Sequence, residues 1–161
     1  MGNSKRQLKK LLSILTAVLL TAHSYAQKRS AMKLNAGIIT PKIAVSKAFY
    51  TDVLGFGVTF ENEFYLLLHT PGHTAEISFL LPDHPSQQPV FQRPFGGEGM
   101  YLTIEVEDVD KVYNEMLVKG IEMKISLRDE PWGDRHFAIQ DPNGIGIDIV
   151  QYAPPEEHKD R

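Results

Sequence analysis

The apolar positions along the chain change period in a fixed order, and that order occurs twice. Residues 33–39 are short and apolar and predict a strand. Thr40-Pro41 reads as a helix cap followed by proline at the first helical position. Beyond it Val45, Phe49 and Val53 recur at intervals of four, as do Tyr50 and Leu54, which predicts an amphipathic helix stopped by Gly55. Residues 57–63, 64–70 and 75–81 read as strands, with Pro71-Gly72-His73-Thr74 as the turn before the last. Residues 82–98 break the pattern with Pro85, Pro89, Pro94 and Gly96-Gly97, and read as a linker.

After the linker the order returns. Residues 100–106 predict a strand, and Asp108 caps a helix running to Lys119 with Val112, Met116 and Leu117 apolar. Gly120 stops it, residues 121–127 give another strand, and residues 135–140 and 145–150 form a hairpin around Asp141-Pro142-Asn143-Gly144. In the last run Ile145, Ile147 and Ile149 alternate with Gly146 and Asp148, so one face is apolar and the other carries a carboxylate. Gly55 and Gly120 lie 65 residues apart and the two turns 70 apart, the extra five fitting a longer loop at 129–133. The expected fold class is α+β: paired βαβββ modules at 33–81 and 99–152, joined by the linker, with a polar tail at 153–161. Each module buries one sheet face on its helix and leaves the other to form a groove.

Charge changes the picture by its distribution. The chain carries 17 basic and 20 acidic residues, a net of −3. Residues 1–26 hold Lys5, Arg6, Lys9 and Lys10 and no acid, so the remainder carries 13 − 20 = −7. An acidic body disfavours nucleic acid and anionic membrane surfaces, and tolerates neutral or cationic partners. The basic start, the apolar run Leu11 to Ala22 and the small residues Ser24 and Ala26 read as an export signal over residues 1–26, with a leader linker at 27–32. The expectation is a periplasmic or secreted protein that leaves the membrane after signal cleavage; the alternative is a cytoplasmic form started at Met32. With no cysteine there is no disulfide frame, thiolate nucleophile or cysteine-built zinc site.

No Gly-x-Ser-x-Gly elbow, phosphate loop or His-Glu-x-x-His is present. His69 and His73 flank a Pro-Gly turn and read as solvated turn residues. Trp132 is the only tryptophan; it offers a flat wall for a ligand with Arg135 as a fork of donors, or else it plugs the structure while Arg135 pairs with Asp134 or Glu130. His136 reads as a base if a carboxylate orients it, or as a plain strand residue. Asp148 reads as a carboxylate in a groove or as ordinary solvation, and Glu76, Thr103 and Glu105 alternate in the same way on their own strands.

Ser46-Lys47-Ala48-Phe49-Tyr50-Thr51-Asp52-Val53-Leu54-Gly55-Phe56 resembles the S-x-x-F-Y-x-x-x-L-G-F helix of the vicinal oxygen chelate superfamily, which includes glyoxalase I, bleomycin-resistance proteins and extradiol dioxygenases. The runs Glu105 to Asp110 and Asp141 to Gly144 resemble its second-half signatures, and Trp132-Gly133-Asp134-Arg135 is similar to the W-G-x-R loop of its bleomycin-resistance and PhnB-like members. The resemblance covers residues 33–152 and implies a cupped mixed sheet and a homodimer. Metal-dependent members place ligands on the first and last strands of each module. Those positions fall here on Asn35, Tyr101, Ser78 (or Glu76, two residues away on the same face) and Asp148, of which only Asp148 is a routine metal ligand, with Glu76 available after a register shift. The expected function is therefore binding of a small organic molecule in a metal-poor groove, without a cofactor, through Asn35, Glu76, Ser78, Tyr101, Trp132, Arg135, His136 and Asp148. The alternative is an enzyme, a lyase or isomerase of the glyoxalase I class, with an atypical divalent metal on Glu76 and Asp148.

Overall fold

The computed structural model describes residues 33–154, and the expectations placed on residues 1–32 and on the end of the tail lie outside that range. Within it the repeated order is present. The first module contains β1 (Ala36–Ile39), α1 (Ile43–Ala48, continuing as a π-helical turn over Phe49–Val53), β2 (Gly57–Glu61), β3 (Tyr65–His69) and β4 (Glu76–Leu80). The second contains β5 (Tyr101–Glu105), α2 (Val109–Val118), β6 (Ile125–Asp129), β7 (Arg135–Gln140) and β8 (Gly146–Gln151). Each module makes one four-stranded sheet, in the orders β1-β4-β3-β2 and β5-β8-β7-β6. Both sheets are mixed, because β1 runs parallel to β4 and β5 parallel to β8 while the other pairs are antiparallel.

Several boundaries and faces differ from the pattern reading. α1 starts at Ile43 rather than Pro41: Thr40 Oγ1 accepts from Lys42 N at 3.0 Å, and this local turn delays the first helical residue. Val45 is exposed, and the buried stripe runs through Ser46 and Tyr50 instead. Leu117 is also exposed, whereas Val112 and Met116 pack on the core. β6 begins only at Ile125 and runs through Asp129, which the pattern assigned to the loop. Asp108 does cap α2, its carboxylate accepting from Lys111 N at 2.9 Å. Ala153 is still part of the fold, donating its N–H to Asp134 Oδ1.

The helix-facing residues of both sheets fuse into one core. Ile77 and Phe79 of β4 meet Tyr50, whose ring lies 5.2 Å from Phe79. In the second module Phe137, Ile147 and Ile149 meet Val109 and Met116, with Tyr113 edge-on to Phe137. A polar latch joins the modules across this core. The Asp141 carboxylate accepts from the N–H groups of Asn143 and Ile145 and from the Tyr50 hydroxyl, while the Asn143 amide bridges Thr40 Oγ1 and Ser46 Oγ. Burial, and then the neighbouring Asp141, pushes the Tyr50 phenol well above its ordinary pKa. Gly144 closes the turn at φ +90°, with Gly97 O close enough to crowd any side chain there. Among the described residues no helix is long and apolar enough to cross a membrane.

Candidate functional site

Strand alternation decides which side chains are available for chemistry. Ile77 and Phe79 are spent on the core, so Glu76, Ser78 and Leu80 lie on the face of the first sheet turned away from its helix. Asn35 precedes β1 on the same parity as Gly37, the register partner of Ser78. Over this face lies a cavity of about 600 Å³. Asn35, Ser78, Asn62 and Gln87 give it neutral polar groups, and Phe60, Tyr65 and Phe91 give it aromatic walls. The 82–98 segment is therefore more than a connection. Its 3₁₀ turn Pro89–Phe91 brings Phe91 to the cavity, His84 stacks on Phe64 at 3.9 Å, and Phe95 N donates to Ile39 O.

Glu76 stands apart from that cavity, near Thr59 Oγ1 at 3.5 Å. The same hydroxyl meets His69 Nδ1 at 2.9 Å, and His69 stacks on His73 at 3.7 Å. The turn histidines thus pack on each other beside a threonine.

On the second sheet the face away from the helix carries Tyr101 and Thr103 of β5, His136 of β7 and Asp148 of β8. His136 Nδ1 lies 2.7 Å from Asp148 Oδ1, and Nε2 lies 2.9 Å from Glu130 Oε1. Glu130 in turn accepts from Arg128 Nε at 2.6 Å. The His136 and Glu130 side chains are 13% and 9% exposed, so the cluster is partly sheltered. A carboxylate only accepts, so the ring satisfies both neighbours only when both of its nitrogens donate, which requires the imidazolium. Burial alone would lower the His136 pKa, but the hydrogen bonds to Asp148 and Glu130 outweigh it, and the net shift is upward. Glu130 is likewise held below its usual range, since Arg128 and His136 outweigh the cost of its desolvation.

The expected site residues do not all come together. Asn35 and Ser78 share the first-sheet cavity, whereas His136 and Asp148 share the cluster on the second sheet. Tyr101 is on the same face as Asp148 but is 73% exposed. Arg135 points the other way: its neighbour His136 takes one face, so Arg135 takes the helix face and forks onto Asp110 at 2.8 Å for both bonds, with Asp129 as a third partner. Its partners are thus neither Asp134 nor Glu130. Trp132 lies in the β6–β7 loop, its Nε1 donating to Asp134 Oδ2 at 3.0 Å. Glu130 and Arg128 were missed as site residues. Their two-residue spacing, with Arg128 on the strand facing His136 and Glu130 just past its end, was the available signal.

The residues present do not fit the family's metal. Its positions hold an amide, a phenol and a hydroxyl, Asp148 is engaged by His136, and Glu76 belongs to the other sheet. Among the described residues no three His, Asp or Glu side chains gather as a metal-binding group.

Comparison with known proteins gives the fold its family. Residues 34–149 match the Glyoxalase/Bleomycin resistance protein/Dioxygenase superfamily model. The uncharacterized protein YwkD of Bacillus subtilis is 31% identical over 120 residues, covering 71% of this chain and 91% of YwkD. A crystal structure of a glyoxalase/bleomycin resistance protein/dioxygenase from Nocardioides superposes with a TM-score of 0.64 at 17% identity, covering 86% of this chain and 95% of that one. TnmS3, an antibiotic binding protein from Streptomyces sp. CB03234, superposes with a TM-score of 0.62 at 18% identity, covering 79% and 100%. At such identities the two structures speak for the fold alone. The chain belongs to the glyoxalase/bleomycin resistance/dioxygenase superfamily.

Proposed function

We propose that this protein binds a small organic molecule on the helix-free face of its first sheet, without a catalytic metal. The carrying observation is the cavity of about 600 Å³ in which Asn35, Ser78, Asn62 and Gln87 face Phe60, Tyr65 and Phe91. That mixture of aromatic wall and a few neutral polar groups suits an uncharged, largely aromatic ligand with one or two hydrogen-bonding groups. The antibiotic binding activity in TnmS3's name is consistent with such a use of the fold. The donor set at the family's metal positions argues for binding over glyoxalase-type lyase or isomerase chemistry.

Two copies would complete the groove. β1 and β5 are each the outer strand of their sheet, and Tyr101 on β5 is largely exposed, so these edges are the surfaces available for a homodimer. In that arrangement the His136–Asp148 cluster would supply the charged part of the ligand site. Sedimentation at micromolar concentration tests the dimer, and N-terminal sequencing for a mature chain beginning at Gln27 tests the export that we carry with this reading.

The binding test is a two-dimensional NMR titration with neutral aromatic probes: 2-naphthol, coumarin and quinoxaline. Saturable shifts at Asn35, Ser78 and Phe91, abolished by Ser78→Phe, support the reading. Absence of saturable shifts there for every probe overturns it.

A further inference from the structure

The 65-residue offset gives this chain two equivalent junctions between its modules. It relates Ala36 at the start of β1 to Tyr101 at the start of β5, and Gly55 to Gly120. At the first junction the β7–β8 turn sits on the β1–α1 region and is latched shut. Thr40, Ser46 and Tyr50 bond to Asn143 and Asp141, and Lys42 Nζ donates to Pro142 O at 2.7 Å. At the second junction the β3–β4 turn faces β5 and α2, and the surfaces stand apart. They enclose a cavity of about 890 Å³ with an apolar floor that includes Leu54, Phe56, Val112 and Met116.

The latch residues themselves explain the opening. Adding 65 to Thr40, Lys42 and Tyr50 gives Glu105, Glu107 and Glu115, which line the cavity, while Ser46 gives Lys111, which does not. The opposing turn has changed as well, since Asp141-Pro142-Asn143-Gly144 is matched by Pro71-Gly72-His73-Thr74. Three of the four groups that close one junction by hydrogen bonding are thus replaced at the other by carboxylates facing proline. No salt bridge joins Glu105, Glu107 or Glu115 to another described residue. Lys119 lines the cavity, but its ammonium donates to the carbonyls of Asp52 and Val53 at 2.8 and 2.9 Å.

We propose that this open junction is a second ligand site, which takes an organic cation with an apolar body. The volume is within the range of about 300–1,000 Å³ that holds a drug-sized molecule. Three carboxylates beside one committed lysine select a positive head group, and the apolar floor selects the rest of the ligand. The site shares no lining residue with the cavity over the first sheet, so it stands independently of the function proposed for that face.

The test uses thioflavin T, a flat cation that fluoresces when immobilised, with the anionic dye 8-anilinonaphthalene sulfonate as control. The full chain is expected to bind thioflavin T saturably at one site per chain, more weakly as salt rises, and to show no comparable saturation with the anion. Replacing Glu105, Glu107 and Glu115 together by glutamine is expected to weaken binding about tenfold, each exposed charge contributing modestly. Ser78→Phe is expected to leave it unchanged. No saturable binding, equal affinity in the triple variant, or loss in Ser78→Phe would each overturn the proposal.

Discussion

His136 Nδ1 and Asp148 Oδ1 lie 2.7 Å apart across the β7–β8 hairpin, and the other ring nitrogen of His136 is held by Glu130. The imidazole is therefore clamped by carboxylates on both sides, with Arg128 balancing Glu130. This arrangement fixes the charge on the helix-free face of the second sheet.

The clamp predicts a pH profile. The folded pKa of His136 is raised above the ordinary 6.5, so its interactions stabilise the fold fully below the unfolded value. That contribution is lost as pH rises through the folded pKa. Glu130 has the opposite sign: its pKa is lowered, so its contribution is present above the unfolded carboxyl pKa and lost as pH falls through the folded one. The cluster is thus strongest between those limits. NMR titration of the His136 ring should give a midpoint above 6.5, and Asp148→Asn should lower it. A wild-type midpoint at or below 6.5 would contradict the clamp.

The latch predicts unequal costs. Asn143→Ala removes the side-chain bonds to Thr40 Oγ1, Ser46 Oγ and the Asp141 carboxylate, and should destabilise by about 1–3 kcal/mol. Tyr50→Phe removes only the long 3.3 Å bond to Asp141 and keeps the ring in the core, so about 0.5–1.5 kcal/mol is expected. Tyr50→Ala also empties the core position and should cost about 3–5 kcal/mol. Urea unfolding of the three variants checks the order; a Tyr50→Phe loss equal to that of Tyr50→Ala would contradict it.

Gly57 lies directly against a neighbouring ring. A Cβ built there overlaps the His69 imidazole, which is itself held by Thr59 and stacked on His73. Gly57→Ala should cost about 1–3 kcal/mol by overpacking, and adding His69→Ala should recover part of the loss. Thermal melts of the single and double variants measure the coupling, and strictly additive losses would show that the overlap is not felt.

Arg135 lies on the helix face, tied to Asp110 and Asp129. Asp110 is correspondingly held below its usual range, chiefly by its hydrogen bonds from Arg135. Arg135→Ala should therefore leave the binding of neutral aromatics unchanged while loosening the start of α2. Hydrogen exchange at the α2 N-terminus and a probe titration read the two effects separately, and lost binding with α2 intact would place Arg135 in the ligand site.

The repeated module was legible because hydrophobic period and turn residues agree with each other: the Gly55 and Gly120 stops, the Asp108 cap and the Asp141–Gly144 turn all appear where the pattern puts them. Side-chain direction was less legible. Val45 and Ser46 differ by one position on a short helix, and only packing against the sheet shows that the serine is inside. The candidate site was half visible. Ser78 and Asp148 follow from strand parity, but the Glu130–Arg128 part needs a register: the hydrophobic pattern ends β6 at residue 127, whereas Arg128 pairs with His136. Adjacent residues on a strand face opposite ways, so Arg135 and His136 could not both enter one groove.

The most direct measurement is the NMR titration of the full chain with 2-naphthol, coumarin and quinoxaline in EDTA, repeated after adding a divalent transition metal. Saturable shifts at Asn35, Ser78 and Phe91, the same in both conditions, are expected. Shifts that occur only with metal and centre on Asp148 and Glu76, or no saturable shifts at all, would contradict that expectation.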